Sequence, residues 1–366
     1  MKAVMVLAVL TLPGMTATTT LRQASGDMPT DSRVTDGGNN NTMEKMLTST
    51  TAVSSTACNG YVGYCNQTLG QVLWIGAHNA LTDTGFALQR NQFVSGPALL
   101  DAGIRYLDID TCAFVANAKR TVPMICHGYE WYLAQVHQPT VAGLLPIKQW
   151  LDKHPHEVIV LNFGDIADFT AVNIRGIATS TLQLRDELSY VVRQVFGSMA
   201  IWRDEPWDAA VNSNKATLGD LIAANRRVVV NVGISRSDSP NAWGQSDRVC
   251  REAWYPVALE WNDDHTDYNW APVVQLVDDT MRSPCATNPQ LLNKLEFQFH
   301  NALGGSIDAA SVGVALNVYM ESLVRRNGPI DKAPYFPFNL ILTDHADKWK
   351  SYYPNWHRRH LKYLER

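Results

Sequence analysis

The chain has 366 residues, 46% hydrophobic and 18% charged, enough apolar material for one large core. Its net charge of −4 at pH 7 argues against the basic face of a nucleic-acid binder. An anionic partner would therefore be held by local cations or a metal and not by a global field.

Residues 1–17, MKAVMVLAVLTLPGMTA, have one lysine near the start, an apolar run too short to span a bilayer, and small residues at the end. This is the pattern of an export signal. No later stretch approaches the roughly 20 apolar residues of a transmembrane helix. A secreted, extracellular, monomeric protein is expected. Residues 18–57 are rich in Thr, Ser, Asn, Gly and Asp. They hold too few apolar groups to offset the entropy of ordering and read as a disordered segment. The folded domain is expected over 58–366.

Six cysteines, Cys58, Cys65, Cys112, Cys126, Cys250 and Cys285, agree with an oxidising compartment. The even count fits three disulfides, with fifteen pairings open on spacing alone. None falls in a CxxC pair or a zinc-spaced cluster. Asn40 and Asn66 open the sequons Asn40-Asn41-Thr42 and Asn66-Gln67-Thr68, which an exported chain can use for N-glycosylation.

Beyond residue 58, short apolar runs at 72–78, 104–110, 122–127, 158–165, 228–232 and 339–344 alternate with amphipathic stretches such as 144–154 and 181–196. That alternation predicts an α/β fold with a parallel sheet covered on both faces. No glycine-rich phosphate loop follows the first run, which disfavours a doubly wound sheet. Five runs end in polar groups: His78 with Asn79, Asp108 and Asp110, His127, Asn162 with Asp165, and Asp344. A TIM-type (β/α)8 barrel gathers its chemistry from the C-terminal ends of several strands, and that is the expected fold.

Asp108 and Asp110 flank Ile109, and residues two apart on a strand share a face. Two neighbouring carboxylates repel unless a cation lies between them, and Ca2+, ahead of Mg2+, suits such oxygen ligands. His78 and His127, at the ends of different runs, suit a general acid–base pair because imidazole titrates near working pH. HExxH and GxSxG are both absent, which argues against a zinc protease and a serine hydrolase.

The segments GAHNA, GIRYLDID and PMICHG, in this order, resemble the X region of phosphatidylinositol-specific phospholipase C. The similarity is greatest to the secreted single-domain, fungal and oomycete-like branch of the PLC-like phosphodiesterase superfamily. CNGYVGYCNQT before the first run and PFNLILTDHADKW near the end also resemble that branch. The resemblance implies a barrel that cleaves a phosphodiester, with a phosphoinositide or another phospholipid at a membrane surface as substrate. It implies that His78 and His127 are the two catalytic histidines and that Asp344 orients the first. It further implies that Asn79, Asp108 and Asp110 are calcium ligands. Relatives that use the metal carry a Glu where this chain has Gly164, a place for which Asp165 can substitute.

Two other readings are kept. One is a related barrel enzyme, a glycerophosphodiesterase or sphingomyelinase D-like protein. The other is a secreted barrel without catalysis that binds a surface ligand. For the cysteines, Cys58–Cys65 is the local pair, Cys112–Cys126 would tie the second and third strands, and Cys250–Cys285 remains.

Overall fold

The computed structural model describes residues 57–84, 90–127, 135–174, 176, 178–201, 207, 210–211, 215–232, 249–258, 292–300 and 339–365. The expected export signal, residues 18–56, Asn40 and Cys285 lie outside these, and only the backbone of Cys250 lies within them.

In chain order the elements begin with β1 (Trp74–Ala77), α1 (Gly96–Asp101), β2 (Tyr106–Asp108), β3 (Thr111–Ala113), β4 (Val115–Ala116) and β5 (Lys119–Arg120). β6 (Met124–His127), β7 (Gln135–Pro139), α2 (Thr140–Lys153), β8 (Ile159–Phe163), β9 (Ile166–Val172), β10 (Ala178–Thr179) and α3 (Leu182–Phe196) follow. β11 (Ala200–Ile201), α4 (Leu218–Ala223), β12 (Val228–Val232), β13 (Val249–Ala258), β14 (Leu292–His300), β15 (Leu340–Thr343) and α5 (Tyr353–Leu364) complete the described chain.

Eight of these strands form one sheet in the order β11-β12-β8-β2-β1-β15-β14-β13, and every pairing in it is parallel. The first strand pairs directly with the last, Trp74 opposite Leu340 and Ala77 opposite Thr343. From that seam the sheet winds outward in chain order on both sides, as a barrel does. The short β11 is the exception: it flanks β12 on the outer side. Among the described residues the sheet has two edges, β11 and β13. Every residue of β1, β2, β8 and β15 is buried, as expected for strands covered on both faces.

The helices follow from local signals. The Thr181 hydroxyl accepts a hydrogen bond from the Leu184 backbone N–H and starts α3, whose Leu184, Leu188, Val192 and Val195 form one buried stripe. Thr217 and Asp220 form a reciprocal capping box on α4. α2 presses so closely on β6 that a Cβ at Gly143 would stand 2.5 Å from Ile125 Cδ1.

A second, five-stranded sheet, β10-β9-β3-β6-β7, corrects two sequence expectations. The run 122–127 is not a barrel strand: β6 runs antiparallel to β3 in this side sheet. The run 104–110 is likewise not one strand. The barrel strand stops at Asp108 and a new strand of the side sheet starts at Thr111, so alternation along a single strand does not govern Asp108 and Asp110. The Cys112–Cys126 bridge forms, with Cα atoms 5.8 Å apart, but it ties β3 to β6 and not two barrel strands. Cys58–Cys65 also forms, closing a loop ahead of β1 with a Cα separation of 5.1 Å. The remaining pairing, Cys250–Cys285, falls outside the described residues. Asn66 is exposed at the end of a 3-10 turn over Val62–Asn66.

Candidate active site

β1 and β15 pair in register, so the residues just past their C-terminal ends, His78 and Asp344, are neighbours despite 266 positions of separation. His78 Nδ1 donates to Asp344 Oδ1 at 2.7 Å. Asp344 is fully buried and His78 is nearly so. A carboxylate on Nδ1 assigns proton transfer to Nε2 and stabilises the ring when it gains a proton. Gln92 fixes the seam by donating from Nε2 to both His78 O (2.7 Å) and Thr343 O (3.0 Å).

Asn79 follows with φ +47, a left-handed conformation that Asn tolerates, and turns the chain away from β1. Its buried amide lies where the two predicted histidines meet. One amide atom stands 2.7 Å from His127 Nδ1 and 3.0 Å from Asn91 Oδ1. The other faces the Asp110 oxygens at 2.8 and 3.2 Å. With nitrogen toward Asp110, the amide donates to the carboxylate while its oxygen accepts from His127 Nδ1 and stands 3.3 Å from His78 Nε2, which donates to it only once His78 has gained a proton. With oxygen toward Asp110, nitrogen donates to Asn91 Oδ1, and two oxygens face each other at 2.8 Å, a contact that a hard cation between them makes favourable. Asn79 and Asp110 thus fit a cation through one amide orientation.

His127 ends β6, 3.4 Å from Asp110 Oδ2, with about a quarter of its side chain exposed. Burial lowers its pKa and the nearby His78 lowers it further, while Asp344 and Asp165 pull it up. A protonated His127 therefore releases its proton more readily than a free imidazole.

The other predicted ligands are used differently. Asp108 accepts from Asn162 Nδ2 at 2.5 Å, and Asn162 in turn accepts from Asn231 Nδ2 at 2.5 Å. A Cβ at Gly164 would stand 3.3 Å from Asp108 Oδ1 and 3.2 Å from Asn162 Nδ2. A side chain at 164 would thus point at this pair, and in its place Asn162 serves the carboxylate. Asp165 lies close enough to act on His127 through its charge, and its carbonyl accepts from the Thr111 N–H. Among the described residues no three His, Cys, Asp or Glu side chains form a metal-binding cluster.

Sequence reasoning missed three residues here. Asn91 donates from Nδ2 to Asp344 Oδ1 at 3.0 Å, and Gln92 locks the seam. Both belong to a polar stretch before α1 that carries no periodicity. His137 lies where the β6–β7 register slips between Ile125 and Cys126, and such bulges re-aim side chains. Burial takes its pKa down to about 4, aided by His127 and Arg90.

A barrel-type parallel sheet with two histidines, a buried aspartate and further carboxylates near its C-terminal strand ends agrees with the class that the sequence resembles, the phospholipase C-like (β/α) barrel. Residues 64–243 match the family model of the PI-PLC X domain (PI-PLC X 1). The "PI-PLC X domain-containing protein 1" of Arthroderma benhamiae is 33% identical over 141 residues, which cover 36% of this chain and 43% of that protein. The chain thus matches less than half the length of that curated relative. Among solved structures, the phosphatidylinositol-specific phospholipase C from Listeria monocytogenes superposes with a TM-score of 0.50 at 15% identity, covering 82% of this chain and 95% of that one. That of S. aureus gives 0.49 at 15% identity over 78% and 94%. Residues 64–243 belong to the PI-PLC X family, and the chain shares the α/β barrel fold of these solved structures. Asp344 lies beyond the matched segment, and the fold brings it to His78.

Proposed function

We propose that this protein cleaves a phosphodiester by acid–base catalysis between His78 and His127, acting outside the cell on a phosphoinositide or another phospholipid at a membrane surface. One observation carries the reading: His78, with Nδ1 committed to Asp344, and His127 meet on the same Asn79 amide. His78 Nε2 takes the proton of the attacking hydroxyl, and Asp344 holds the imidazolium that forms. His127, whose burial favours its neutral form, gives a proton to the leaving alkoxide. Asn79 and Asp110 would hold a divalent ion, Ca2+ ahead of Mg2+, whose charge offsets that developing on the phosphoryl oxygens. In this reading residues 1–17 direct export and Asn66, exposed in its sequon, accepts a glycan.

The test is turnover of purified protein on a panel of soluble phosphodiesters and phospholipid vesicles, with calcium or with chelator. His78→Ala and His127→Ala are each expected to lower kcat by about 10²-fold or more. Full turnover in either variant sinks the mechanism. A second reading, a barrel that binds without catalysis, is favoured by Asn162 having taken up Asp108. It predicts vesicle or ligand binding with no turnover on any substrate.

A further inference from the structure

A cleft of about 390 Å³ opens at the end of the barrel opposite the histidines. Leu73 and Ile75 line it at the start of β1, and Arg105 lines it just before β2, whereas the candidate active site takes residues past the ends of those strands. Its other walls are Tyr61, from the loop closed by Cys58–Cys65, and Lys350 and His357, from the chain's last turn and α5. The volume lies in the range of small-molecule sites.

Its polar groups are already aimed. Arg105 is rigidly held: Nε donates to Glu157 Oε2 (2.8 Å), Nη1 donates to Leu100 O (2.6 Å) and Ile104 O (2.8 Å), and the guanidinium lies over the Trp150 ring. Its Nη2 has no partner among the described residues. Lys350 is exposed and likewise has none. The Tyr64 hydroxyl, whose one side-chain partner among the described residues is His357, donates to Nδ1 of that ring at 2.9 Å. That bond puts the proton of the buried, neutral His357 on Nε2. The Tyr61 ring lies against His357, tilted by 35° with 4.5 Å between ring centroids, and its hydroxyl has no hydrogen-bond partner among the described residues. Arg358 and Arg105 are the cations that act on that phenol. The acid of the cleft is Asp101, one of whose oxygens receives the Trp150 indole N–H.

Two cations and two neutral donors, with one carboxylate oxygen to spare, suit an oxyanion that also bears hydroxyls. We propose that this cleft is a second binding site, for a small polyol monophosphate. Its phosphate lies between Arg105 and Lys350, and its hydroxyls meet Asp101 and Tyr61. The site stands apart from the catalytic histidines and does not depend on the phosphodiesterase reading.

Calorimetric titration of glycerol phosphate, and separately of inorganic phosphate, into the full chain tests this. Lys350→Ala is expected to weaken glycerol phosphate binding by about tenfold, the worth of one charge-assisted hydrogen bond. Tyr61→Phe should weaken it severalfold, with the thermal stability of both variants unchanged. His127→Ala should leave it intact, which separates this cleft from the active site. Inorganic phosphate should bind more weakly than the polyol ester. No binding at millimolar concentration, or binding that Lys350→Ala does not weaken, overturns the site. Equal affinity for inorganic phosphate overturns the polyol assignment.

Discussion

At the scale of single residues, the proposed chemistry turns on Asp344 and Asn79. The Asp344 carboxyl is fully buried, and His78 Nδ1 and Asn91 Nδ2 both donate to its Oδ1. Asp344→Asn keeps the shape but puts an amide where a carboxylate stabilises the imidazolium. It is expected to lower kcat by about a hundredfold or more with KM nearly unchanged, read from steady-state kinetics; a normal kcat would mean that His78 needs no orienting carboxylate. Asn79 acts as a two-way connector. Its amide either serves Asp110 with its nitrogen or offers its oxygen beside that carboxylate. The same rotation decides whether His127 Nδ1 faces an acceptor or a donor.

Individual elements locate these residues and set their stability. β6 carries His127 in a narrow side sheet, and the Cys112–Cys126 bridge anchors it to β3. Replacing both cysteines with serine opens a loop of 14 residues and is expected to cost ~3 kcal/mol of stability, measured by urea unfolding. The same variant should lose activity before it unfolds, since β6 then places His127 less firmly. α5 carries a different liability. Burial takes His357 down to about 3, against about 6.5 in an unfolded chain. Between those values the unfolded state binds the additional proton, so stability is complete above about pH 6.5 and drains away as pH falls toward 3. His357→Gln, which keeps an acceptor for Tyr64, should flatten that decline in Tm between pH 6.5 and 4. An unchanged slope would assign acid sensitivity to other groups. Asp168 has the same acid-side sign for a different reason: burial raises it, but hydrogen bonds from Arg120, Thr170 and Thr181 outweigh burial and bring it to about 2. Its contribution persists until pH falls below about 3.8 and is lost as pH approaches 2.

For the molecule as a whole, the parallel sheet divides the labour. The C-terminal strand ends gather His78, Asp110, Asp344 and, through the side sheet, His127, while the N-terminal ends form the cationic cleft. No helix among the described residues is long and apolar enough to cross a membrane. If the chain passes through a secretory pathway, it should leave with residues 1–17 removed and a glycan on Asn66. Mass spectrometry of protein secreted from a eukaryotic host, before and after enzymatic deglycosylation, checks both. An intact N-terminus on secreted protein, or a bare Asn66, would count against the export reading.

Much of this was legible in the sequence where the information is local. Apolar runs alternating with amphipathic stretches marked the parallel α/β sheet, and polar residues at the run ends marked the C-terminal face of a barrel. His78 and Asp344 meet there because the first strand pairs with the last, and the side sheet brings His127 to Asp110 beside them. Only the tertiary structure decided that 122–127 belongs to a side sheet, that Asp108 and Asp110 part at a strand end, and that Asn162 takes up Asp108. It also decided that Asn91 braces Asp344 across 253 positions and that Arg105, Lys350 and His357 line one cleft. The physical reason is range. Periodicity and capping report the faces of a single element, whereas the partner of a buried polar group is chosen by whichever distant segment packs against it.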